Sequence, residues 1–214
     1  MIMNANRNYQ KELDRLISTL GDRRPTLLLH ACCAPCSSYV LEYLSRYFQI
    51  TLYFYNPNIA PEGEYHYRCG ELKRLVAEML PEAGIEVVEA PYDAQAFYDI
   101  ARGLEQEPEG GERCMKCYRL RLEASAKMAR ELGCEYYTTT LSISPLKNAK
   151  ALNAIGEELA PIYETKYLTS DFKKREGYKR SIQLSAQYGL YRQDYCGCAY
   201  SKAERERQKA GQSE

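Results

Sequence analysis

The chain alternates between short apolar runs and stretches in which apolar residues recur every three to four positions. Thr26-Leu27-Leu28-Leu29-His30 is too short for a helix and predicts a buried strand. Residues 50–55 predict a second strand and residues 85–89 a third. Residues 135–141, with three threonines in a row, predict a fourth. A last strand is expected to start at residues 161–163. Helical periodicity predicts helices over residues 8–20, 64–80, 93–102, 114–132, 148–159 and 173–188, with a charged helix after Tyr200. Ser37 is placed to cap another helix running to about Phe48. The polar, glycine-containing stretch EQEPEGGE is expected to be a mobile loop.

Strands alternating with helices imply an α/β fold, a parallel sheet with helices on both faces. The length of 214 residues fits one domain, residues 1–214. Ligands of such sheets bind beyond the carboxyl ends of the strands. The loops at His30-Ala31-Cys32-Cys33, at Asn56-Pro57-Asn58 and at residues 142–148 should therefore open onto one rim.

Composition narrows the class. With 45% hydrophobic and 27% charged residues, the chain reads as an ordinary globular protein. No run approaches the roughly 18 consecutive apolar residues of a membrane span. The first residues lack the apolar core of a secretory signal. A cytoplasmic protein is expected, and there nine cysteines point to metal ligands or redox groups rather than structural disulfides. Formal net charge is zero, which excludes a global attraction to nucleic acid. The charge is nevertheless uneven. Residues 62–112 hold thirteen acidic and four basic side chains, and residues 171–214 hold ten basic and six acidic ones. The second region is either a polyanion-binding face or a solvated surface. Twenty tyrosines supply either stacking surfaces or half-buried core.

Seven cysteines fall into three clusters: Cys32, Cys33 and Cys36; Cys114 and Cys117; Cys196 and Cys198. Cys69 and Cys134 stand alone and read as packing residues. Cys33-Ala34-Pro35-Cys36 looks like a thioredoxin dithiol, but that reading leaves Cys32, Cys114 and Cys117 without a task. A radical-SAM reading fails because position 39 is tyrosine. Cys114 and Cys117 share one face at the start of a helix, where the dipole and free N–H groups favour thiolates. Paired with the cysteines of the first loop, they could hold zinc or a [4Fe–4S] cluster. Adjacent cysteines reach two irons of a cubane more easily than one tetrahedral zinc. Cys196-Gly197-Cys198 suggests a strained, easily reduced pair, with glycine giving the backbone freedom to close it. Two further metal ligands or two loop thiols are the plainer readings of that pair.

HACCAPCS, YNPNI followed by Glu64-Tyr65, ERCMKCYRLRL, TTTLSISPLKN and LYRQDYCGCAYS, in this order, resemble the epoxyqueuosine reductase family QueH. The resemblance spans residues 26–201, so the helix at 8–20 and the tail at 201–214 read as additions. It implies a HUP-like (Rossmann-like) three-layer domain and reduction of the epoxide of epoxyqueuosine, at the tRNA wobble position, to queuosine. It also implies a [4Fe–4S] cluster on Cys32, Cys33, Cys114 and Cys117, an additional iron ion nearby, and a redox-active disulfide between Cys196 and Cys198. Cys36 is a candidate ligand of the second iron. His30, Asp194 and Tyr195 are candidate proton donors. The substrate implies contact with an anticodon loop, for which Lys173, Lys174, Arg175, Lys179 and Arg180 could hold phosphates and Tyr178 and Tyr191 could stack. The electron donor is not implied. Two other classes stand beside this reading. A nucleotide-dependent tRNA-modifying enzyme of the PP-loop kind would need a glycine-containing phosphate loop where HACCAPCS stands. A non-catalytic zinc-binding protein would be colourless.

Overall fold

The computed structural model describes residues 7–211; residues 1–6, and residues 212–214 of the expected tail, lie outside the described residues. The central strand is β1 (Thr26–His30). Around it lie β2 (Gln49–Phe54), β3 (Glu86–Glu89), β4 (Tyr136–Thr139) and β5 (Lys166–Tyr167), in the order β3-β2-β1-β4-β5. All neighbouring pairs are parallel, as the alternating pattern predicts.

β1 is buried on both faces, which is why it reads as a continuous apolar run. Leu27 and Leu29 enter one core, with α2 (Ala34–Leu44) and α3 (Glu62–Met79). Leu28 enters the other, with α5 (Glu112–Glu131) and α6 (Ala149–Ile162). All three leucines are fully buried, each contributing about 1.5–3 kcal/mol. α1 (Tyr9–Thr19), capped by Asn8, lays Leu13 on the first core. α4 (Ala94–Ala101), capped by Asp93, packs on α5, and α7 (Gly177–Gln187) packs on α2. α8 (Ala199–Ala210) closes the described chain.

Several boundaries differ from expectation for local reasons. α2 starts at Ala34, not Ser37, because Pro35 fits the first turn and Cys33 takes the cap position. The Ser37 hydroxyl instead donates back to the Cys33 carbonyl at 2.8 Å. β4 stops at Thr139, whose hydroxyl accepts from the Leu141 amide and turns the chain into a 3-10 helix over Thr140–Ile143. α6 runs through Pro161 to Ile162, so the last strand begins later, at Lys166. α7 begins at Gly177 because Arg175 and Glu176 adopt φ of 52° and 58°, which interrupts a right-handed helix. A Cβ at Gly177 would lie 2.0 Å from the Phe172 carbonyl oxygen.

The expected mobile loop after α4 is pinned. Buried Arg113 donates to the carbonyls of Leu104 and Glu105 at 2.8 and 3.1 Å and lies 4.6 Å from the Tyr200 ring centroid. Glu109 pairs with Lys147, and its amide donates to Glu204 of α8. Among the described residues, no helix is long and apolar enough to cross a membrane.

The strand order reverses at β1. The chain builds β2 and β3 on one side, then α5 leads to β4 on the other. The switch point lies between the carboxyl ends of β1 and β4, where open α/β sheets bind ligands.

Candidate metal centre and dithiol

The loop leaving β1 carries Cys32 and Cys33, and the first turn of α2 carries Cys36. Their three sulfurs lie within 4.8 Å of one another. The Cys32 and Cys33 sulfurs are 3.9 Å apart. Cys36 thus turns toward the pair instead of packing alone. Cys33 and Cys36 donate to Cys32, and this holds the Cys32 thiol well below its ordinary range against burial; Arg121 and the Thr140 hydroxyl add to the effect. The same contact with Cys32 pushes Cys33 up to about 12 and Cys36 up as well.

The threonine run after β4 holds this loop from the side. The Cys32 amide donates to the Thr140 hydroxyl at 3.2 Å, and that hydroxyl lies 3.4 Å from the Cys32 sulfur. Thr139 faces His30. The His30 Nε2 lies 3.0 Å from the Tyr55 carbonyl, which can only accept, so Nε2 carries the proton. Nδ1 then accepts from Thr139 at 2.9 Å. Burial, with the nearby Arg121 charge, pushes the His30 imidazole down to about 3. His30 is a neutral, satisfied strand-end histidine and not a source of protons.

Arg121 is 3% exposed and donates to Asn56, whose amide in turn donates to the Ala31 carbonyl at 2.9 Å. Asn56 of the YNPNI loop therefore fixes both the guanidinium and the cysteine loop. Cys114, Cys117 and Arg121 follow at intervals of three and four along α5, one face of the helix. That spacing was legible in ERCMKCYRLRL, and Arg121 was the residue it should have flagged. The Gly110 amide donates to the Cys114 sulfur at 3.2 Å, as a helix start should. Burial nevertheless pushes both thiols up, in Cys117 against the pull of Arg121, so the expected thiolate preference of this helix end is overridden.

Cys114 and Cys117 do not stand alone. They line a cavity of about 20 Å³ together with Cys196, Cys198, Arg121 and Lys147. Cys196 and Cys198 are free thiols, their sulfurs 3.6 Å apart. Cys198 caps α8 by accepting from the Ser201 amide, and the Ser201 hydroxyl lies 3.0 Å from the Cys196 sulfur. Gly197 adopts φ of 111°, a conformation that favours glycine, and a Cβ there would meet Ile59 and Arg68. The hydrogen bond from Cys198 lowers the Cys196 thiol well below its ordinary range, with Lys147 and Ser201 assisting, and raises that of Cys198.

A second cavity, about 320 Å³, opens to the rim. It is lined by Cys32, Cys33 and Cys36, by Ser144 to Lys147 of the loop after β4, and by Arg192 to Cys196. Arg121, Lys147 and Cys196 belong to both walls, so the two chambers adjoin. The three loops expected at one rim all reach these walls, Asn58 representing the second. Asp194 and Tyr195 reach the larger cavity; Asp194 pairs with Lys209, which lowers its carboxyl, and Tyr195 lies under the buried Arg68 guanidinium. Cys69 and Cys134 are buried in the two cores, as their isolation predicted.

The donor set is sulfur, in positions that hydrogen-bond one another and face buried cations. This fits soft, thiolate-bound metals such as zinc or iron–sulfur clusters, and not oxygen-ligated ones. Arg121 and Lys147 offset the negative charge that such a centre carries. The basic residues after Asp171 are placed differently. Lys173 pairs with Asp171, Arg175 with Asp14, Lys179 with Glu176 and Arg180 with Glu42. Tyr178 lines the larger cavity, and Tyr191 stands edge-on to Tyr67 with centroids 5.0 Å apart.

Over 89% of its length the chain is similar to a U34-tRNA thiolase, NcsA from Methanococcus maripaludis, solved with its [4Fe-4S] cluster; it covers 67% of that chain with a TM-score of 0.50 and 15% identity, a likeness of fold alone. It is 43% identical over 209 residues to an epoxyqueuosine reductase QueH of Streptococcus pyogenes, covering 94% of this chain and 82% of that one. A QueH of Staphylococcus epidermidis is 44% identical over 200 residues, covering 91% and 84%. One of Thermotoga maritima is 33% identical over 186 residues, covering 84% and 92%. Residues 27–204 match the family model described as epoxyqueuosine reductase QueH, nearly the span on which the motifs lie, and the chain belongs to that family.

Proposed function

We propose that this protein reduces the epoxide of epoxyqueuosine in tRNA to the cyclopentene of queuosine, acting in the cytoplasm as a single α/β domain. The observation that carries the reading is the convergence of cysteines at the switch point. Three sulfurs within 4.8 Å of one another face a cavity whose wall also holds Cys196. Cavities of this volume take small molecules or single nucleotides, roughly 300–1,000 Å³.

The reaction consumes two electrons and two protons, breaks both C–O bonds of the epoxide and releases water. Oxidation of the Cys196 thiolate and the Cys198 thiol to a disulfide supplies two electrons and one proton, Tyr195 gives the second proton and recovers it from solvent, and an external reductant restores the dithiol. Cys32, Cys33, Cys114 and Cys117 would hold a [4Fe–4S] cluster, with Cys36 facing an additional iron. When bound, these metals would carry single electrons and draw charge from the epoxide oxygen. The residues of the chain do the rest. Cys198, with Lys147 and Ser201 assisting, favours the thiolate form of Cys196. Arg121 offsets the charge of the sulfurs on either side of it. Tyr195, whose phenol burial holds in the protonated form, is the proton donor that fits; Asp194 is committed to Lys209 as a carboxylate. Of the residues that could hold phosphates of an anticodon loop, Lys173, Arg175, Lys179 and Arg180 are paired with Asp171, Asp14, Glu176 and Glu42, so RNA would compete with those acids, and Lys174 stands beside them.

Anaerobic reconstitution with iron and sulfide, followed by assay on tRNA carrying epoxyqueuosine, tests this reading. Iron and sulfide in cluster proportions and formation of queuosine are expected. A protein that takes up zinc alone, or leaves the epoxide intact with a strong reductant, overturns it.

A further inference from the structure

The cysteines lie on the floor of the larger cavity, Cys33 only 6% exposed. Buried sulfurs inside a concave site favour a base that has left its stack, and enzymes that do chemistry on bases act on single-stranded or extruded nucleotides. The rim carries two features that the reaction does not use.

One is an exposed leucine. Leu146 is 56% exposed at the tip of Ser144-Pro145-Leu146-Lys147, all four residues lining the cavity. The tip is stiff. The Leu146 amide donates to the Ser144 hydroxyl at 3.3 Å, the Lys147 amide to the Ser144 carbonyl at 3.1 Å, and Lys147 is anchored to Glu109 at 2.6 Å. A large apolar side chain held in water on a rigid turn has no role in the core. Tyr178, 36% exposed on α7, also lines this cavity.

The other is charge. Arg192 and Arg205 line the same cavity. Arg192 donates to the Ser185 hydroxyl at 3.0 Å, and Arg205 to the Asp194 carbonyl at 3.1 Å and the Gln208 amide oxygen at 2.9 Å. Neither forms a salt bridge among the described residues, whereas Lys173, Arg175, Lys179 and Arg180 all do. Arg192 and Arg205 therefore line the cavity without a carboxylate bonded to their guanidinium groups, unlike the four paired cations of the basic segment.

We infer that Leu146 is a wedge that takes the place of the extruded base in a single-stranded RNA loop, with Tyr178 stacking on RNA at the mouth and Arg192 and Arg205 holding the flanking phosphates. This deepens the reductase reading and rests on it for the RNA substrate. Apolar wedges and aromatic platforms of this kind are general devices for opening stacked nucleic acid.

The full chain and an anticodon stem-loop with 2-aminopurine next to the wobble position test it without any turnover. Binding of the wild type should raise the fluorescence about twofold or more as the neighbour unstacks. Leu146→Ala, a change at an exposed position, should keep the melting temperature, lose the rise and weaken binding about tenfold. Arg192→Ala and Arg205→Ala should each lower the slope of log affinity against log salt by about 0.7, the value for one phosphate of a single strand. No rise with the wild type, a full rise with Leu146→Ala, or an unchanged salt slope in both arginine variants overturns the inference. A wild type that opens the loop yet never reduces epoxyqueuosine supports the wedge and sinks the reductase reading.

Discussion

Cys32, Cys33 and Cys36 and the pair Cys196 and Cys198 face two adjoining cavities, with Cys196 in the wall of both, but they are built in opposite ways. The first group hangs from the central strand. Ala31 continues the ladder by donating to Tyr53 at 2.9 Å, and the strand beneath is fully buried. The second group sits on a loop held by a few polar contacts. The Gly197 carbonyl accepts from Ala60 at 3.1 Å, and the Cys196 carbonyl accepts from Asn58 and Arg68, both at 3.4 Å. A sulfur set on the sheet core keeps its geometry through a reaction cycle, which suits a resident metal. A pair 3.6 Å apart must close by about 1.5 Å to bond, and a loop on weak contacts can do so. Placement therefore argues for a permanent centre in one group and a dithiol that changes state in the other.

The largest test of this contrast is cysteine deletion. Cys33→Ala should abolish iron binding, measured by metal analysis and by loss of visible absorbance after reconstitution. Cys198→Ala should keep iron and colour, while turnover falls on the order of a thousandfold, as when one member of a cooperating set is removed. If Cys198→Ala loses iron as completely as Cys33→Ala, the two groups form one metal site and the contrast breaks.

A smaller effect should follow from Gly197→Ala. The residue sits at φ of 111°, and the new methyl would lie 2.9 Å from Ile59 and 3.0 Å from Arg68. Strain at such a position costs about 1–3 kcal/mol. It should appear as a lower melting temperature and a changed Cys196–Cys198 reduction potential, with iron content intact. An unchanged potential would mean that the loop geometry does not set the dithiol chemistry.

Much of this arrangement was legible beforehand. The parallel sheet follows from the alternating pattern, and the three rim loops follow from the sheet. What stayed hidden depends on contacts between distant segments. Arg121 and Asn56 are 65 positions apart, and their hydrogen bond appears only when α5 crosses the end of β2. The pinning of the glycine-containing loop rests on Arg113, which as a sequence letter looks like an ordinary surface arginine of a helix start. The basic segment misleads for the same reason. Its acidic partners Asp14 and Glu42 come from α1 and α2, far away in sequence, so local charge counting overstates the free charge of that face.

Lys147 gives the finest test, because it acts on one group of the contrast through charge alone. It is buried beside Glu109 and favours the Cys196 thiolate. Burial opposes its own charge, but Cys196 and Glu109 outweigh this and keep it protonated. Lys147→Met removes a cation that stabilises the thiolate, so the Cys196 thiol must titrate at higher pH. Below that new value less thiolate is present. Alkylation of Cys196, followed by peptide mass analysis, should slow about tenfold for each unit of upward shift. The two rates should converge once the pH is high enough to ionise the thiol in both proteins. Glu109→Gln removes the competing acid and leaves Lys147 in place, so its rate should not fall. Equal slowing in both variants would assign the effect to a loosened loop rather than to charge, and Cys196 would then owe its reactivity to Ser201 and Cys198.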